Sequence, residues 1–242
     1  YTLVLEVKNT GAYPFDDSDE VDVELYFTGF DPEVISLDQT SNIGVEGGRT
    51  VTNPQGGIDF YEEDFDITLF DSVDSLNQKI TATACYEYET QAPIQVCVDP
   101  NPTRNADDSC TPGATGIGGG QGGPIAVTDV RQETLKGKAT FTIRLSNVGG
   151  GEVYKTDRVD ECLNLGRTDS NVLEVLEVEL GGESLDCQPE DEIRLLNGVG
   201  TLRCQIDGLD EDSPAYETSL NVHVGYGYKD SVSKTVSVRR IE

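Results

Sequence analysis

Apolar and polar residues alternate with period two along most of the chain. Leu3, Leu5 and Val7 are interleaved with Thr2, Val4, Glu6 and Lys8, and Asn9-Thr10-Gly11 then supplies a turn. The same grammar returns at Phe141, Ile143 and Leu145, followed by Asn147-Val148-Gly149. Val21, Val23, Leu25 and Phe27 share one face, as do Phe65, Ile67 and Leu69. Leu173, Leu176, Val178 and Leu180 run up to Gly181-Gly182, and the Val content of this stretch favours strand over helix. Leu220, Val222, Val224 and Tyr226 place His223 on the opposite, wet face of a further strand. Short strands punctuated by turn residues every ~8–12 positions predict β-sandwiches.

The pattern occurs twice. The acidic stretch Asp19-Glu20-Val21-Asp22 is matched to Asp157-Arg158-Val159-Asp160, and Tyr86-Glu87-Tyr88 to Tyr226-Gly227-Tyr228. A near-constant offset of about 140 residues at both ends of the segment indicates an internal duplication. Between the copies lies a Gly-rich run, 111–124, which neither follows a strand nor opens a helix and is read as a linker, not a phosphate loop. The expected organisation is an immunoglobulin-like β-sandwich over 1–110, the linker over 111–124, and a second such sandwich over 125–242.

The Asn-Thr-Gly and Asn-Val-Gly turns after an apolar strand resemble those of CARDB-type immunoglobulin-like modules of archaeal and bacterial surface proteins. Cys85 through Pro100 and Leu180 through Pro189, leading to Arg194–Gly198 and Cys204, are similar to uncharacterised exported proteins of small-genomed archaea. The resemblance implies an exported β-sandwich protein without assigned catalytic residues.

Charge narrows the partners. Asp and Glu number 45 against 17 Lys and Arg, for a net charge of −28, which disfavours nucleic acid and anionic membrane surfaces. No stretch approaches the ~20 apolar residues of a spanning helix, so this segment is not expected to insert in a membrane. The six cysteines lack zinc-site spacing, and an even number in such a chain points to disulfides and an extracellular or cell-surface location. Cys85 and Cys97 are equidistant from Gln91, the centre of an expected hairpin, and are expected to bond. Cys187 and Cys204 flank a second hairpin, which leaves Cys110 and Cys162 to pair with each other or with other subunits.

Candidate chemistry is sparse. His223 is the single His, no Gly-x-Ser-x-Gly elbow occurs, and Trp is absent, so no enzyme is expected. Calcium is the ligand that oxygen-rich loops would suit, at those containing Asp16, Asp17 and Asp19, at Asp99–Asp108, and at Asp207, Asp210 and Asp212. The paired tyrosines form either a binding strip or packing surfaces. No Asn-x-Ser/Thr sequon occurs. The copies also differ at their starts, because the second has an edge strand at Ile125–Val130 with no counterpart before Leu3. The expected function is therefore a structural subunit of an extracellular filament or pilus. Copies would join head to tail by strand donation into a groove at Leu3, Leu5 and Val7. Val232–Val238 is weighed as the donor, although its alignment with Gln91–Val98 assigns it to its own domain. The alternative is a monomeric surface adhesion or ligand-binding module, stabilised by calcium.

Overall fold

The computed structural model describes residues 1–15, 20–49, 53–103, 110–117 and 121–240. Among them the chain is all-β, in antiparallel sheets. The strands are β1 Thr2–Lys8, β2 Glu20–Thr28, β3 Thr40–Glu46, β4 Ile58–Asp64, β5 Ser75–Val98, β6 Ala114–Gly116, β7 Ile125–Leu135 and β8 Lys138–Asn147. They continue as β9 Glu152–Tyr154, β10 Val172–Leu180, β11 Glu183–Ser184, β12 Asp186–Gln188, β13 Glu192–Arg194, β14 Val199–Asp207 and β15 Tyr216–Arg239. A 3-10 segment, Thr156–Asn164, breaks from helical geometry at Arg158.

The residues form two compact units, each drawing on both copies of the repeat. The first comprises Tyr1–Glu87, Asp157–Asn164 and Gly227–Glu242; the second comprises Tyr88–Thr156 and Leu165–Tyr226. These limits differ from the sequence-based boundaries, and the Gly-rich run 111–124 falls inside the second unit, where β6 pairs with β7. Gly123 explains part of that run's composition. A Cβ there would lie 2.2 Å from Thr90 Oγ1 and 2.9 Å from the Tyr226 hydroxyl, so only glycine lets this backbone approach so closely.

In the first unit, β1 and β4 make a two-stranded sheet that faces β2, β3, the first half of β5 and the last half of β15. The alternation of β2 is obeyed strictly, with Val21, Val23, Leu25 and Phe27 buried. Burying a side chain such as Leu25 or Phe27 contributes about 1.5–3 kcal/mol. Leu3, Leu5, Val7 and Tyr61 pack on this core from the facing sheet, and Val236 reaches it from β15. Phe65, Ile67 and Leu69 do not extend into a strand, since Ile67 makes only an isolated bridge with Ile35.

The second unit is built the same way with more strands. One sheet runs β12-β14-β8-β7-β6, and the other holds β11, β10, the first half of β15 and the last half of β5. Phe141, Ile143 and Leu145 of β8, Leu202 of β14 and Leu220 of β15 are fully buried. β10 is a strand, as its composition suggested, and a register shift between Val175 and Glu177 turns Leu176 outward.

The duplication recurs at the level of single hydrogen bonds. Asn9 Oδ1 accepts from Gly11 N and its amide donates to Tyr13 O, while Asn147 Oδ1 accepts from Gly149 N and its amide donates to Gly151 O. The backbone N–H of Asn9 bonds Gly57 O, and that of Asn147 bonds Gly198 O. β5 and β15, each 24 residues long, are likewise equivalent. The acidic match does not survive, because Glu20–Thr28 is strand whereas Thr156–Asn164 is 3-10. The positional equivalent of β2 is β10, which pairs with β15 as β2 pairs with β5.

No hairpin forms around Gln91. Tyr86 through Ala92 contains no Gly, Asn or Pro to turn the chain, and even-numbered positions keep facing inward from Leu76 to Val98. Cys85 and Cys97 are thus twelve residues apart on one extended strand, roughly 40 Å at the usual rise, and cannot bond. Cys85 pairs with Cys162 and Cys97 with Cys110. Cys187 and Cys204 lie directly opposite each other on β12 and β14 and are bonded, the pair read from the sequence.

Candidate functional site

The first unit presents an open strand edge at β1. Tyr1 N donates to Phe65 O and Phe65 N donates to Tyr1 O, which fixes the phase of the ladder. Leu3, Leu5 and Val7 then direct their backbone groups at β4, paired with Glu63, Tyr61 and Asp59. Thr2, Val4, Glu6 and Lys8 direct theirs away from β4. No strand among the described residues pairs with that edge. In the second unit the equivalent strand, β8, has β14 on one side and β7 on the other.

Side chains around the edge divide by face. Leu3, Leu5 and Val7, read from the sequence as a strand-accepting groove, are half-buried and turned onto the core. The outer face of the same two strands carries Val4, Ile58 and Phe60, which are 56%, 41% and 57% exposed. Alternation gives no reason for apolar residues at these outward positions, and this exposed cluster escaped the sequence reading. Its signal was present in Ile58-Asp59-Phe60, an apolar-polar-apolar phase opposite to that of Tyr61.

The remaining expected sites come out differently. Asp16, Asp17 and Asp19 lie outside the described residues, as does most of the acidic loop after Asp99. Asp207 pairs with Lys138 at 3.3 Å, and Asp210 accepts hydrogen bonds from Asp212 N and Ser213 Oγ within its own turn. Among the described residues no three His, Cys, Asp or Glu side chains converge in a way that would hold a metal ion.

The tyrosines pack inward and form no strip. Tyr86 and Tyr228 meet at 5.9 Å in the first unit, and Tyr88 and Tyr226 at 6.2 Å in the second. The fully buried Tyr226 hydroxyl is satisfied by Thr90 Oγ1 at 2.8 Å, as a buried phenol requires. His223 is half-buried, not wet, with Nε2 2.6 Å from Glu89 Oε2. The last half of β5 lies beside it in place of solvent, which is why the expected exposure is not met. In the first unit, the Tyr26 hydroxyl donates to Asp160 O and helps seat the 3-10 segment. Burial raises this phenol's pKa above the ordinary tyrosine value, and the nearby carboxylates of Glu24 and Asp160 add to the effect.

A groove of about 720 Å³ opens in the second unit between β10 and the β12–β14 pair. Glu177, Asp186 and Glu190 line it together with Arg203 and Gln205, above the Cys187–Cys204 bond. Its charges are mixed, three carboxylates against one guanidinium. No described helix is long and apolar enough to cross a membrane. In comparisons with known proteins, no family model, no curated protein and no solved structure matches the chain.

Proposed function

We propose that this chain is a structural subunit of an extracellular filament, built from immunoglobulin-like units of the CARDB type and polymerised by strand addition at β1. The observation that carries this reading is the open edge of β1, set against the paired edge of its equivalent, β8. Thr2, Val4, Glu6 and Lys8 offer a row of backbone groups that no strand among the described residues pairs, and Val4 and Phe60 offer apolar contact area beside it. A second copy is the favoured occupant because the fold already contains a matching arrangement, β7 on β8. A contact made between different surfaces of successive copies does not close and so propagates. Three disulfides suit an oxidising location outside the cytoplasm.

Two proline variants test this with opposite expectations. The Val4 N–H faces the free edge, so Val4→Pro keeps the β1–β4 ladder and blocks addition of a strand. Leu5→Pro removes a ladder bond to β4 and unfolds the first unit. Electron microscopy is expected to show detergent-resistant filaments for the native chain and dispersed particles for folded Val4→Pro. Dispersed native particles, or filaments of Val4→Pro, overturn the reading.

A second reading, a monomeric surface module that binds a ligand, is favoured by the groove beside Arg203. Saturable binding of a neutral glycan by monomers, lost in Arg203→Ala, supports that module instead.

A further inference from the structure

The two copies of the repeat trade their final strands. β5 begins in the first unit and ends in the second, whereas β15 begins in the second and ends in the first. The first unit therefore holds the last half of β15 beside the first half of β5. Thr81 Oγ1 lies 2.9 Å from Ser233 Oγ, and Thr83 Oγ1 lies 2.9 Å from Ser231 Oγ. The second unit holds the last half of β5 beside the first half of β15, with Thr90 against Tyr226. Each unit thus accepts a strand that another copy of the repeat supplies.

The two traded halves are held very unequally. From Tyr88 to Val98, the even-numbered side chains are all buried. From Lys229 to Arg239 none is buried: Lys229, Val236 and Val238 are half-covered and the rest are exposed, Val232 at 60%. The segment is secured by its backbone pairing with β5 and the two hydroxyl pairs, by Lys229 Nζ to Cys162 O, and by Arg240, whose N–H bonds Asp74 O and whose guanidinium reaches the carbonyls of Phe70 and Val73; of its side chains Val236 alone packs on the core cluster. With so little buried apolar surface, this half opens at lower cost than its buried counterpart in the second unit. Its departure does not disconnect the rest of the unit, because Cys85–Cys162 holds the 3-10 segment to β5 covalently.

We propose that residues 229–240 exchange with the same segment of a second copy, so that the first unit of one chain is completed by β15 of its neighbour. The occupant follows from the fold. The site's present strand comes from a distant part of the sequence, and an identical strand on another molecule makes identical contacts. Reciprocal exchange gives a closed dimer, and one-way exchange gives a chain of subunits. This stands on β15 alone and holds whether or not β1 takes a strand.

Single variants Thr83→Cys and Ser231→Cys, one uniformly isotope-labelled, distinguish exchange from the intrachain pairing. They are mixed at high concentration after mild unfolding with native disulfides intact, then oxidised. The expected product is a covalent dimer whose linked peptides join position 83 of one isotope to position 231 of the other. The double variant in one chain, at low concentration, is expected to bond internally and run as a monomer. If the double variant bonds internally but the mixed singles yield no 83–231 linkage, the exchange is overturned. Thr81→Cys with Ser233→Cys repeats the test on the neighbouring pair should the buried Thr83 position disturb folding.

Discussion

Asn9 and Asn147 do the same work in the two units. Each side chain accepts from the N–H two residues ahead and donates to the carbonyl four residues ahead, closing the turn that follows the first core strand. Alanine at either position leaves both backbone groups without this partner. Asn9→Ala is expected to cost about 1–3 kcal/mol and Asn147→Ala somewhat less, because Asn9 is the more buried. Urea unfolding of each variant measures both. Gly123→Ala is expected to cost a comparable amount, about 1–3 kcal/mol, by forcing the Thr90 and Tyr226 side chains apart. Tyr26 adds a pH dependence. Its pKa is raised in the folded state, so its contribution is present below the ordinary tyrosine value and is lost as pH rises through the raised one. Replacing it with Phe is expected to flatten the alkaline limb of a stability-versus-pH profile.

At the scale of elements, the cysteine bonds differ in what they close. Cys85–Cys162 spans 77 residues and Cys97–Cys110 spans 13. By loop-closure entropy the first is worth about 4–5 kcal/mol and the second about 3 kcal/mol. Paired Cys→Ser variants compared in urea are expected to keep that order. Strand existence was legible from alternation: β1, β2, β8, β10 and β15 all lie where their apolar residues predicted. The Cys187–Cys204 bond was legible too, because its two strands are neighbours separated by a short excursion. The other two bonds were not. Alternation fixes which face of a strand is buried but not which partner it meets, and in a duplicated chain the final strand of either copy fits either unit. The outward phase of Ile58 and Phe60 was present in the sequence, but their placement beside Val4 was not legible, since it depends on the register of β1 with β4.

For the molecule as a whole, net charge opposes self-association. At −28, copies repel one another, and added salt shortens the range of that repulsion. Light scattering is expected to show association promoted by rising salt, the reverse of an assembly held by surface ion pairs. The mixed parentage of the units makes a second prediction. A fragment ending at residue 110 lacks the β15 strand and the 3-10 segment of the first unit, and a fragment beginning at 125 lacks the last half of β5. Neither is expected to fold alone. Mixing them is expected to restore a dispersed amide NMR spectrum, and independent folding of either fragment would contradict the arrangement.

The trading of final strands also bears on how the chain matures. A polypeptide is made from its amino end. Tyr1–Glu87 would emerge early but lack a finishing strand until Arg239 has followed, some 150 residues later. The first unit is therefore completed last, although most of its strands are made before those of the second.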